Sequence, residues 1–230
     1  MSTTTPDFRN IQTNKGSTAP VTGHTFQSWT LIILVFVAGA ASLAIEMSAS
    51  RLLAPYFGTS LFVWANLIGL VLLYLAIGYY AGGRMADRYP SPTAFYGLTT
   101  VAALLTSTIP VFSHPILTWS LTTFASYSPS DFYGSLVAVI LLFALPMVLL
   151  GCISPFAIRL RIEQVGKSGR IAGILYAVST AGSIAGTFLS VLALMPNIGV
   201  YHTFLVFAGA LFVVSILGLM AIRIGTSRSS

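Results

Sequence analysis

The chain has 230 residues, 56% of them apolar and only 7% charged, and a net charge of +6. Soluble domains carry roughly 25% charged residues, so this composition excludes a globular surface covered by charge and implies an integral membrane protein. A single cysteine, Cys152, excludes an intrachain disulfide or a multi-cysteine metal site.

Residues 1–28 are rich in Ser, Thr, Pro, Asn and Gly and read as a disordered cytoplasmic tail. A cleaved signal peptide fits less well, because its charged head is short, although Ala38 to Ser42 resemble a cleavage site. Six segments then reach the roughly 20 apolar residues that a helix needs to cross a bilayer core. They are about Trp29–Ser48, Leu61–Ala81, Thr93–Phe112, Ser135–Ile153, Ile171–Met195 and Tyr201–Ile222. Turn-forming residues predict the breaks: Pro55 and Gly58, Gly82-Gly83-Arg84, Pro110 and Pro115, Pro155, and Pro196 to Gly199. The fold class predicted is an all-α bundle of six transmembrane helices over 29–223, followed by a short cytoplasmic tail, 224–230.

Basic residues set the expected orientation. With both termini in the cytoplasm, every Lys and Arg except Arg51 falls on the cytoplasmic side, as the positive-inside rule requires. The positive charge is therefore a topology signal; its dispersal over short loops gives no support to nucleic-acid binding. The loop from Ser113 to Gly134 has no Lys or Arg and is expected outside. Leu117, Leu121 and Phe124 fall at helical spacing there, which suits either a short interfacial helix or simple headgroup anchoring by Trp119 and Tyr127.

Glu46 is the one carboxylate inside a predicted span, and an ionisable group there is either well paired or functional. The rise from Trp29 puts it about 26 Å along the helix, in the outer half of the membrane. Arg51 lies roughly 140° around from it, whereas Ser50 shares its face. Asn66 enters from the second span at similar depth. Two readings stay open: a polar lock of Glu46, Ser50, Arg51 and Asn66, or a carboxylate that binds a cation or a proton. In the fifth span, Gly173, Ala177 and Ala181, and likewise Gly182 and Gly186, have the spacing of close-packed membrane helices. Tyr176, Ser179, Ser183 and Thr187 form a polar stripe there, either bonding a neighbouring helix or walling a cavity that faces Glu46.

The turn Gly83-x-x-x-Asp87-Arg88 resembles the loop between helices two and three of major facilitator transporters; a charged topology turn explains it equally well. His24, His114 and His202 are far apart, and no metal site, cofactor loop or nucleophile with its base is expected.

Four blocks together carry a wider resemblance. They are Glu46-x4-Arg51 through Gly58-Thr59-Ser60-x3-Trp64, Gly82-Gly83-Arg84-x2-Asp87-Arg88, Ser154-Pro155-Phe156-Ala157-Ile158-Arg159, and Gly169-Arg170 through Tyr176, Ser179, Gly182 and Gly186 to Thr187. From about Ala38 to Val200, the chain resembles the membrane portion of spermidine synthase-like integral membrane proteins, the major facilitator/spermidine synthase fusions. In that family a soluble aminopropyltransferase-like domain usually follows the helices. No residues of such a domain are present here, so the resemblance transfers no catalytic residue and implies that any transferase chemistry sits on another polypeptide. The expectation is a membrane module, non-catalytic alone. It would anchor an aminopropyltransferase-like partner through Arg84, Arg88, Arg159 and Arg161, or handle a small cationic metabolite such as a polyamine at Glu46. The alternatives are a half-sized major-facilitator-like transporter acting as a homodimer, or a structural subunit of a membrane complex. A bacterial or archaeal cytoplasmic membrane is the expected location.

Overall fold

In the computed structural model, residues 22–162 and 168–227 are described, with side chains over 29–162 and 168–223. Of the expected tail, 1–28, residues 1–21 lie outside that range, as do Lys167 and Arg228, while 22–28 are helical and open α1. The described residues form only helices: α1 (Thr22–Phe57), α2 (Leu61–Arg88), α3 (Pro92–Phe124), α4 (Ser130–Arg161), α5 (Ser168–Phe188), a π-helical segment (Leu189–Leu194) and α6 (Met195–Ser227). Five helical stretches are long and apolar enough to cross a membrane, so the chain is a multi-pass membrane protein. The fifth stretch runs 56 residues, Ser168–Arg223, through the π segment and past Gly199, where the backbone leaves helical geometry at φ 80° and ψ 171°.

Several expected breaks are not breaks. Pro55 lies inside α1, which ends beside Gly58 at φ 72°. Gly82 and Gly83 lie inside α2, Pro110 and Pro115 inside α3, and Pro155 inside α4. The physical reason is the solvent. A helix in lipid has no water to replace its backbone hydrogen bonds, so proline and glycine interrupt it less readily. The segment with Leu117, Leu121 and Phe124 is accordingly the last part of α3, with Leu117 fully buried, and not a separate interfacial helix. The true helix starts carry side-chain caps. Ser60 Oγ accepts from the Val63 amide, and Ser91 Oγ accepts from the Ala94 amide just before Pro92.

Helix α4 packs on α2 and α3, and α1 packs on α5 and α6. The shared core includes Leu34, Ile45, Leu53, Phe95, Phe143, Phe156 and Phe204. Glycines set the two closest seams. At Gly78 and Gly82 an added Cβ would meet the α4 backbone at 2.3 Å from Val148 O and 2.5 Å from Cys152 Cα. At Gly182 and Gly186 it would meet the α1 carbonyls of Phe36 and Ala40, at 2.0 and 2.1 Å. Gly173, also expected from its four-residue spacing to Ala177 to pack closely, has open space around it, and Ala177 is exposed. Helical rotation explains the difference, since α5 touches α1 along one narrow stripe only.

Contacts identify the two ends of the bundle. At one end, Thr30 and the Tyr96 hydroxyl are hydrogen-bonded at 2.9 Å, and Gly218 fits against the Tyr96 ring. Arg159 of α4 pairs with Asp87 of α2 at 2.9 Å near the same end. At the other end, Gly134 packs against Phe57, and Ser60 donates to Asp131 at 2.7 Å. Residues beyond Gly199 lead back toward the first end: Phe204 stacks on Phe143, and Ser215 donates to Thr99 at 2.7 Å.

Candidate functional site

Glu46 sits half-buried on α1 between the face that packs into the core and the stripe that meets α5. Its carboxylate makes no hydrogen bond or ion pair with any described residue. The polar lock of Glu46, Ser50, Arg51 and Asn66, one of the two readings open from the sequence, does not form among the described residues. Asn66 turns instead to α4, where its amide donates to Phe132 O at 2.8 Å and to Ser135 Oγ at 2.9 Å. The cause is that α2 lies chiefly against α4, so its one buried amide satisfies that interface. Ser50 donates to Met47 O within its own helix at 2.8 Å. Arg51 is exposed.

The polar stripe of α5 divides in the same way. Ser183 donates to Gly39 O at 3.1 Å, and Ser179 lies against Gly39. Both therefore meet α1 two turns before Glu46, about 10 Å away along the axis, and do not face its carboxylate. Thr187 bonds back to Ser183 O within α5, and Tyr176 is exposed. What lies level with Glu46 is the π segment. Gly186 touches Ala40, and Val191 lines a cavity together with Met47 and Ser50, so Leu189–Leu194 passes α1 at the height of Glu46. A π segment inside a helix often marks a functional position, because its extra residue per turn re-aims the neighbouring groups.

That cavity, of about 280 Å³, lies between α1, α2 and the π segment beside the Gly58 turn. Arg51 is the one charged side chain on its wall, accompanied by Ser50, Thr59 and Trp64. Thr59 and Trp64 belong to the motif from Glu46 to Trp64, the one sequence signal for this cavity, and Val191 carries none. Nothing in the apolar run Leu189–Leu194 announces π geometry.

The motif Gly83, Asp87 and Arg88 lies at the opposite end. Asp87 holds Arg159, Arg88 lies over the Tyr89 ring at 5.6 Å, and Arg84 reaches the Tyr80 hydroxyl and ring. No group of three or more potential metal ligands occurs among the described residues. Comparison of the chain with protein-family models, curated proteins and solved structures gives no match.

Proposed function

We propose that this protein is a six-pass membrane module, with both termini in the cytoplasm, that binds a small organic cation at Glu46. The return of the chain beyond Gly199, with Ser215 on Thr99 and Gly218 on Tyr96, supports the sixth crossing. The distribution of basic residues supports the orientation.

The observation that carries the cation reading is the lone carboxylate. Glu46 lies in a membrane span, half-buried, with no partner in the described chain. Such a group in lipid invites a ligand that neutralises it. A cation about 4 Å away gains roughly 4 kcal/mol of attraction at an effective dielectric of about 20, before its own desolvation is counted. The ligand class, a polyamine, follows from the resemblance to spermidine synthase-like membrane proteins. Docking of a soluble aminopropyltransferase-like partner is the weaker reading, because Arg84, Arg88 and Arg159 are each engaged within the chain itself.

Equilibrium binding of labelled spermidine to the purified chain tests this. Wild type should bind, and Glu46→Gln should bind at least tenfold more weakly while its unfolding transition stays in place. Equal binding by the two proteins rules the site out, and unfolding of Glu46→Gln together with absence of binding by wild type points to a structural role.

A further inference from the structure

A second site, of opposite sign, lies one turn beyond Glu46 and does not rest on the cation reading. We propose that the cavity between α1, α2 and the π segment binds a phosphate group lacking a compensating cation, with Arg51 as the charge that recognises it. Arg51, Thr59 and Trp64 all line this cavity of about 280 Å³. The guanidinium of Arg51, the hydroxyl of Thr59 and the indole N–H of Trp64 each lack a hydrogen-bond or ion-pair partner among the described residues. Three residues with unused donors therefore line one space, and the described wall offers no carboxylate to answer them. Apart from Ser50 and Gly58, the rest of the lining is apolar, formed by Met47, Ala54, Val63, Leu67 and Val191, and a guanidinium–phosphate contact is a charge-assisted hydrogen bond, the stronger kind.

The position suits the chemistry. The Gly58 turn joins the ends of two membrane-crossing stretches, Trp29–Phe57 and Leu61–Arg88, so the cavity opens where the bilayer core gives way to headgroups. Planar guanidinium is the side chain that matches a phosphate with two parallel donors. Glu46 cannot satisfy Arg51 first, because the two project roughly 140° apart around α1. The phosphate could belong to an anionic lipid headgroup or to a free anion, and the site recognises the feature that both share.

Trp64 is a built-in reporter. With the exposed Trp29 and Trp119 replaced by Phe, it is the single tryptophan left in the full chain. In one arm, the protein is reconstituted in phosphatidylcholine vesicles with a minor share of phosphatidylglycerol, and either lipid in turn carries bromine on its acyl chain. In the other arm, inorganic phosphate is titrated into protein in phosphatidylcholine alone. Excess quenching by brominated phosphatidylglycerol assigns the site to a lipid; a saturable Trp64 response to inorganic phosphate assigns it to a free anion. In either case Arg51→Gln should weaken the effect about tenfold or more, the loss expected for one charge-assisted hydrogen bond. Equal quenching by both lipids with no phosphate response overturns the proposal, and so does an effect unchanged in folded Arg51→Gln. Should Arg51→Gln fail to fold, Thr59→Val carries the test: a several-fold weaker effect supports the site, and an unchanged one overturns it.

Discussion

The α1–α5 seam offers a direct test of the packing. A Cβ added at Gly182 would sit 2.0 Å from Phe36 O, a backbone atom that cannot rotate away. Restoring an ordinary 3.4 Å contact requires α5 to withdraw by the difference, about 1.4 Å. A gap of about 0.5–1 Å already forfeits a quarter to a half of each dispersion contact along a seam. Overpacking of this kind costs about 1–3 kcal/mol, so Gly182→Ala should destabilise by about 2 kcal/mol. Gly186→Ala should behave alike, since its Cβ would lie 2.1 Å from Ala40 O. The double variant should cost less than the two singles together, because one withdrawal relieves both clashes. Gly173→Ala is the control. It has open space around it, and helix propensity favours alanine by up to about 1 kcal/mol, so this variant should be neutral or more stable. The assay is denaturant unfolding of the purified protein in mixed micelles, followed by helical circular dichroism. Gly182→Ala as stable as wild type, or Gly173→Ala less stable than Gly182→Ala, refutes the seam.

Two further substitutions probe polar groups in the same assay. Asn66→Ala should destabilise by about 1–3 kcal/mol, because it strips the shared donor from Phe132 O and Ser135 Oγ while leaving spermidine binding at Glu46 unchanged. A parallel loss of binding would put Asn66 back beside Glu46. Tyr74→Phe should raise stability by about 1 kcal/mol, since the buried Tyr74 hydroxyl has no hydrogen-bond partner and its removal ends a desolvation cost. A decrease in stability would mean that the hydroxyl is satisfied.

The membrane class was legible because hydrophobicity alone decides it; the number of crossings was not, since the predicted spans Ile171–Met195 and Tyr201–Ile222 fall in one helical stretch, Ser168–Arg223. Nor were the helix ends. Gly82, Pro110, Pro115 and Pro155 would act as breakers in water, yet here they lie inside helices, since lipid leaves the backbone no alternative partners. Small-residue spacing marked two opposite sides of α5, about 180° apart, and could not say which of them meets a neighbour. Gly182 and Gly186 face α1, whereas Gly173 and Ala177 with identical spacing face away. The seam between α2 and α4 had an equivalent signal in Gly78 and Gly82, four residues apart. The depth of Glu46 follows from its place in the apolar run, but its partners do not, because the choice between a lock and a lone carboxylate depends on which helix α2 leans against. Asn66 turning to α4 decided that point, and no periodicity within α1 or α2 encodes it.

The proposed role of Glu46 is to bind a cation and not to hold the bundle together. It is tested by equilibrium binding of labelled spermidine to purified wild type and Glu46→Gln reconstituted in lipid vesicles, with the unfolding midpoint of each protein determined from the same preparation. Saturable binding by wild type and at least tenfold weaker binding by a Glu46→Gln protein of unaltered midpoint are expected. Undiminished binding by Glu46→Gln, or a collapse of its midpoint in place of a specific loss of binding, would contradict that role.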